Sequence, residues 1–143
     1  MSNDIVLLLA KFVDAETGEP LNDPSLKVSF FDFDTLSDEF LGEATLTTEG
    51  VARIAVAQSS YRHGLTGFVG GMLGEKQPDI FCEVRDRDCP VYRTPVLWDV
   101  KTVREDPVTH RIDRTVDLGT FRFRRGEGVE HHAVSVFPML APF

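Results

Sequence analysis

The chain has 143 residues, of which 42% are hydrophobic and 27% are charged. This length and composition predict one globular domain and exclude a disordered, collagen-like or coiled-coil chain. Acidic residues number 23 against 15 lysines and arginines, which gives a formal net charge of −8. The acidic balance disfavours nucleic acid and anionic membranes as partners, because both bind basic surfaces. No run approaches the roughly 20 apolar residues of a membrane span, so no membrane insertion is expected.

The N-terminus and the cysteines both indicate a cytoplasmic protein. Residues 1–4 (MSND) lack the positive charge of a signal peptide, and the apolar run that follows is short. Cys82 and Cys89 fall on a predicted hairpin in which Asp86 faces Cys89 and Val84 faces Val91, so the two thiols are not opposite each other. Free thiols suit a reducing compartment, although export without a cleaved signal stays open.

Seven short strands are predicted in chain order, separated by turn residues. They cover residues 5–13, 26–30, 40–48, 51–57, 79–86, 90–96 and 116–124. Most of them alternate apolar and polar residues, the period of a strand with one buried face, and no window shows a helical apolar period. Short strands at this spacing predict an antiparallel β-sandwich.

Three positions refine this prediction. The continuous apolar run of the first strand indicates burial on both faces or beneath a loop. Pro95 shortens the sixth strand and favours an edge position for it. In the last strand the apolar residues change parity after Leu118, so we expect a β-bulge at Gly119.

Four segments resemble the transthyretin-like (prealbumin-like) sandwich domains, which include carboxypeptidase regulatory-like modules. They are residues 14–21 (DAETGEPL), 31–43 (FDFDTLSDEFLGE), 49–50 (EG) before an alternating strand, and 78–86 (PDIFCEVRD). The resemblance spans residues 5–123 and implies a β-sandwich. It implies little about function, because one sandwich supports many unrelated activities.

Two enzyme families share this sandwich, and the chain departs from both. It ends in LAPF, without the Tyr-Arg-Gly-Ser terminus of hydroxyisourate hydrolases. Intradiol dioxygenases bind iron through two tyrosines and a His-x-His pair, whereas His131 and His132 are adjacent here and point apart in an extended chain. Tyr61, Arg62 and His63 form a polar trio that favours a solvated loop. A small hydrolase or metalloenzyme therefore stays a secondary alternative.

An acidic loop at residues 32–39 offers a candidate calcium site. Asp32, Asp34 and Asp38 supply the hard oxygen ligands that calcium prefers. The loop departs from the EF-hand pattern at Leu36 and Ser37, where a ligand and a glycine are required. Turn capping and protection of a sheet edge are the competing interpretation, and no cofactor is expected.

Two segments lie outside the minimal sandwich and carry unexplained apolar side chains. One is the glycine-rich connection 59–77; the other is the tail 126–143 that follows a domain predicted at 1–125. The candidate partner-binding residues are Leu65, Phe68, Val69, Met72 and Leu73 in the connection, and Val136, Phe137, Met139, Leu140 and Phe143 in the tail. The sequence thus favours a non-enzymatic interaction or structural module that binds a protein partner or a second copy of itself.

Trp98 and Phe81 are interpreted as core or rim residues rather than as a binding surface.

Overall fold

The computed structural model describes residues 4–57 and 77–129. This part of the chain is all-β and contains nine strands. They are β1 (Ile5–Asp14), β2 (Leu26–Asp32), β3 (Glu39–Thr45), β4 (Val51–Ala57), β5 (Ile80–Asp86), β6 (Cys89–Arg93), β7 (Arg104–Glu105), β8 (Ile112–Asp113) and β9 (Thr115–Phe123). Within the described ranges no helix is long and apolar enough to cross a membrane.

Seven of these strands form two sheets packed as a sandwich. One sheet has the order β4-β1-β9 and the other the order β3-β2-β5-β6, while β7 and β8 form a separate hairpin. All neighbouring pairs are antiparallel except β1 and β9, which are parallel. A parallel pair needs a long connection, and these two strands stand at opposite ends of the chain order. The predicted all-β sandwich is confirmed, with this one parallel pair as a difference.

The core lies between the two sheets. On β1 the side chains of Val6, Leu8, Ala10 and Phe12 are fully or almost fully buried, and the residues between them are half-buried. β1 therefore alternates like its neighbours, so the prediction of full burial on both faces is wrong, and the alternative of cover by a loop stays a prediction. Transfer of such side chains from water contributes about 1.5–3 kcal/mol each for the larger ones, which is the main stabilisation of the sandwich.

The last strand contains the expected bulge. Leu9 pairs with Asp117 and Lys11 with Thr120, so β9 has one extra residue at Gly119, whose φ is +110°. The extra residue changes the parity and turns the aromatic residues that follow it toward the core.

The β3–β4 turn fixes the edge strand β4 against β1. Gly50 has a φ of +79°, and its carbonyl accepts a hydrogen bond from Phe12 N–H at 2.8 Å. The Thr47 hydroxyl accepts hydrogen bonds from the backbone N–H groups of Glu49 and Val51. The turn predicted at this position is confirmed.

The β5–β6 hairpin differs from its predicted register. Asp86 faces Cys89 as expected, but a bulge then shifts the pairing so that Val84 faces Tyr92 and Glu83 faces Arg93. The bulge lets two consecutive residues, Val91 and Tyr92, both enter the core. Cys82 is buried and Cys89 is exposed, and both thiols are free. β6 lies at the edge of its sheet, as Pro95 predicts.

Candidate functional site

Five aromatic rings occupy the outer surface of the four-stranded sheet. Phe31 on β2 lies directly between Phe40 on β3 and Phe81 on β5 in the strand register. Directly paired residues project from the same side of a sheet. Phe81 is only 2% exposed, yet it does not belong to the core cluster between the sheets, which places it on the outer side. We call the outer surface formed by Phe31, Phe33, Phe40, Phe81 and Trp98 the aromatic face.

Ring contacts order the aromatic face. Phe31 stacks on Phe81 with centroids 5.1 Å apart and planes 13° apart, and it meets Phe40 edge-on at 5.8 Å. Phe33 meets Trp98 edge-on at 5.4 Å. Such stacked and edge-to-face pairs each add about 0.5–1.5 kcal/mol beyond burial.

Two rings of the aromatic face remain open to solvent. Phe40 is 59% exposed and Trp98 is 62% exposed, while Phe31 and Phe33 are half-buried. Isolated exposed apolar residues are common on proteins, whereas here each exposed ring packs against a further aromatic ring. Phe81 is buried as expected, whereas the exposure of Trp98 differs from a core position.

A strand-like segment beside β5 positions Trp98. Ile80 and Leu97 exchange backbone hydrogen bonds of 2.9 and 2.7 Å, so this segment extends the sheet past the end of β6. The Asp79 carboxylate accepts a hydrogen bond from Asp99 N–H at 2.8 Å, and Asp99 has a φ of +53°. These contacts hold Trp98 on the same side as Phe33.

A buried charge cluster adjoins the aromatic face. Glu83 is 3% exposed, and its carboxylate accepts hydrogen bonds from Arg85 Nε at 3.0 Å and from Arg93 Nη2 at 2.8 Å. The Arg93 guanidinium carbon also lies 4.8 Å from the centroid of the Phe81 ring. Two cations satisfy the buried carboxylate, and one of them gains a cation–π contact. Arg93 Nε is buried and has no hydrogen-bond partner among residues 4–57 and 77–129.

The acidic residues predicted as calcium ligands lie where β2 and β3 meet. The Asp38 carboxylate accepts a hydrogen bond from Asp34 N–H at 3.3 Å, and the Asp34 carboxylate accepts one from Leu36 N–H at 2.9 Å. Both side chains therefore cap the turn, which agrees with the competing interpretation of this loop.

Asp32 occupies a different environment from the two capping residues. Its half-burial, reinforced by the negative charges of Glu39, Asp79 and Asp34, raises the pKa of this carboxyl group to about 6, against a partial offset from the Asp79 backbone N–H. Across residues 4–57 and 77–129, no three acidic, histidine or cysteine side chains are grouped as a metal site would require. The calcium interpretation stays a prediction.

The remaining candidate residues lie outside the described part of the chain. Residues 58–76 include the apolar candidates Leu65, Phe68, Val69, Met72 and Leu73. Residues 130–143 include Val136, Phe137, Met139, Leu140 and Phe143. The polar trio that starts at Tyr61 and the histidine pair that starts at His131 also fall there. Their roles stay predictions.

Surface cavities elsewhere in the described ranges are polar. A cavity of about 560 Å³ lies beside the β7–β8 hairpin and is lined by Arg104, Glu105, Asp106, Thr109, Arg111, Ile112 and Asp113. A second, of about 420 Å³, lies near the β5–β6 turn and contains both cationic and anionic side chains, among them Lys27, Arg85, Glu43 and Asp88. Binding pockets for small ligands are mostly apolar, so neither cavity has the lining typical of one.

The aromatic face was not predicted from the sequence, although a signal existed. Phe30 and Phe31 are adjacent, so in a strand they must point to opposite sides, and only one of them can enter the core. Phe33 follows Phe31 by two residues, so it falls on the same outward side. Both faces of β2 thus carry apolar residues, and this pattern indicates a second apolar surface that faces outward.

Comparisons with known proteins identify no family for this chain. No family model matches the chain, and no curated protein matches it. A 9R-lipoxygenase from Cyanothece PCC8801 resembles it with a TM-score of 0.45 and 18% identity, over 83% of this chain and 16% of that one. A 3-chlorocatechol 1,2-dioxygenase from Rhodococcus opacus 1CP resembles it with a TM-score of 0.42 and 13% identity, over 85% of this chain and 61% of that one.

The chain thus spans less than two thirds of either structural neighbour. Both neighbours are oxygenases by name, but a likeness this weak carries no argument about a site. Membership of the transthyretin-like family stays a prediction.

Proposed function

We propose that this protein is a non-enzymatic binding module that contacts a protein partner through the aromatic face. One observation carries the proposal: Phe40 and Trp98 are about 60% exposed, and each is the open ring of one of the two ring clusters on this side of the sheet. Leaving such rings in water is unfavourable, and their burial by a partner contributes about 25 cal/mol per Å² of apolar surface.

The composition of the surface supports protein binding. Aromatic residues and arginine dominate the energetics of protein interfaces, and the aromatic face combines both through the Phe81–Arg93 contact. The rings are already ordered by mutual contacts and by the sheet beneath them. A partner therefore spends little free energy on immobilising them.

The buried charge cluster supports a binding role over a catalytic one. Glu83 is the acidic group nearest the centre of the outer surface, and two arginines already use its oxygens. This carboxylate is 3% exposed and both of its oxygens are occupied by arginines, so it is not open to contact by a substrate. The connection 59–77 and the tail 126–143 remain further predicted contacts of the same module.

Site-specific photo-crosslinking in the native cell tests this proposal. A photoreactive phenylalanine analogue replaces Phe40 in one variant and Ile112, an exposed apolar residue of β8, in a matched control. The proposal predicts a discrete protein adduct from position 40 that is absent from position 112 and is lost when Phe33→Ser is added. No adduct at position 40, or the same adducts at both positions, would overturn it.

A further inference from the structure

We infer that the segment docked on the aromatic face carries basic side chains beside apolar anchors, and that Asp34 and Asp79 receive its cations. This inference rests on the proposed binding role and names the chemistry of the partner. Charge complementarity selects the occupant, because an acidic end of the sheet adjoins the exposed rings.

Asp34 and Asp79 are neighbours of Phe33, one along the chain and one across the strand pair. Asp34 directly follows Phe33 in the chain. Asp79 lies across from Phe33 on the neighbouring strand, where its carbonyl accepts a hydrogen bond from Phe33 N–H at 2.6 Å. The Asp79 carboxylate also accepts a hydrogen bond from the residue after Trp98. The Asp79 carboxylate is thus held beside the Trp98 segment, and the Asp34 carboxylate is held in the β2–β3 turn that follows Phe33.

The charge at this end of the sheet is uncompensated among the described residues. The acidic side chains here are Asp32, Asp34, Asp38, Glu39, Asp79 and Asp99. None of them forms an ion pair with a described residue, whereas Glu83 at the centre of the sheet has two. Unpaired charges of one sign attract and orient an oppositely charged partner.

The aromatic rings favour the same class of ligand. A guanidinium or ammonium group gains electrostatic energy over the face of an aromatic ring, and most of all over tryptophan. The Arg93 guanidinium on Phe81 realises this contact within the aromatic face itself. A basic side chain of the partner placed at Trp98 would meet both a ring and a carboxylate.

Two other occupants fit less well. Residues 130–143 contain no lysine or arginine, so this tail offers no guanidinium or ammonium group to the acidic end. A second copy of the chain carries the same net charge of −8 and would bring a further acidic surface. Sedimentation distinguishes a second copy from a basic partner, and resistance of Trp98 to acrylamide at every protein concentration distinguishes the protein's own tail.

Trp98 is the only tryptophan of the chain, so its fluorescence reports on this site. The full chain is titrated with three short synthetic peptides at low salt. The first alternates lysine with phenylalanine and leucine, the second has glutamate in place of lysine, and the third has glycine in place of the apolar residues. We expect the first peptide to change the Trp98 fluorescence in a saturable way. The other two peptides should bind at least about tenfold more weakly.

Matched variants separate local recognition from the overall acidity. Asp34→Asn with Asp79→Asn removes two charges, yet each amide oxygen can still accept the capping hydrogen bond. Asp23→Asn with Asp106→Asn makes the same change at two capping residues elsewhere, which accept from Ser25 N–H and Val108 N–H. We expect about tenfold weaker binding for the first pair and less than about twofold for the second.

Three results would overturn the inference. The first is that the two pairs of substitutions weaken peptide binding equally. The second is that the lysine and glutamate peptides bind equally well. The third is that the protein sediments as a dimer in which Trp98 is shielded from solvent until the protein is diluted. If the crosslink from position 40 persists while the peptides are not discriminated, only the inference fails. Absence of that crosslink removes the proposed function itself.

Discussion

Glu83 and Arg93 face each other across the β5–β6 pair, with Arg93 Nη2 2.8 Å from Glu83 Oε2. The contact exists because the bulge at Val91 shifts the hairpin by one residue. In the register expected from the sequence, Arg93 would face Cys82 and Glu83 would lack this partner. The bulge therefore couples packing of the core to the charge and aromatic arrangement on the outer surface.

Removal of the buried charge tests how much this arrangement stabilises the fold. Glu83→Gln keeps the shape but leaves two arginines without their counter-charge, so we expect the free energy of unfolding to fall by about 2 kcal/mol. Glu127→Gln is the control, because its pair with Arg124 is exposed and 3.8 Å long. In urea denaturation the control should lose less than about 0.5 kcal/mol of its free energy of unfolding. Equal losses would contradict the assigned role of Glu83.

Alanine substitutions at Gly50 and Gly18 distinguish the cost of a steric clash from the cost of backbone strain alone. Both have positive φ, +79° and +75°. A Cβ at Gly50 would collide with the Phe12 carbonyl oxygen, whereas a Cβ at Gly18 would meet nothing within 4 Å. We expect Gly50→Ala to cost about 3 kcal/mol and Gly18→Ala about 1 kcal/mol in the free energy of unfolding. Similar losses in thermal denaturation would show that the β3–β4 turn does not fix β4 against β1 as described.

Asp32→Asn tests the pH dependence at the acidic end. The pKa of Asp32 is about 6 in the folded protein against 3.8 for an ordinary aspartate, so the folded state binds the proton more tightly. Wild-type stability is therefore lost as pH rises from about 4 to about 6. The variant escapes this loss and should be more stable than wild type by about 1 kcal/mol at pH 7, after allowance for solvent screening of a half-buried group.

The measurement for Asp32 is a pair of urea titrations at pH 4 and pH 7. The difference between variant and wild type should approach zero at the lower pH, because both are then neutral at this position. A constant difference at both values would show that Asp32 is not a proton-binding group of raised pKa.

The two cysteines should react with thiol reagents very differently. Cys89 is exposed, whereas Cys82 is buried, and burial raises the pKa of its thiol well above the usual range. A disulfide reagent at pH 8 should modify one thiol quickly and the other only on unfolding. In Cys89→Ser the fast reaction should disappear. A fast reaction that survives this substitution would place Cys82 outside the core.

Local sequence pattern was sufficient for much of the fold. Alternation of apolar residues located β2 and β4, and the parity change after Leu118 located the bulge at Gly119. In each case the deciding information lies within a few residues of the feature. A turn that needs positive φ, such as the one at Gly50, is likewise encoded by the residue itself.

The aromatic face was beyond such local patterns. Its formation depends on which residues lie opposite Phe31 in two neighbouring strands, and the β2–β3 pairing shifts register at that residue. Trp98 joins the face only because Leu97 pairs with Ile80, a contact that no local pattern encodes. The bulge at Val91 was missed for the same reason, since it follows from packing Val91 and Tyr92 against the opposite sheet.

Collisional quenching of the Trp98 fluorescence by acrylamide tests the central claim most directly. If the aromatic face is an open binding surface, the indole of the isolated protein emits as a solvent-exposed ring. Its quenching should then approach that of free tryptophan and stay the same over a wide range of protein concentration. A blue-shifted emission that resists acrylamide would show that the face is covered in the free protein, and it would contradict the proposed role.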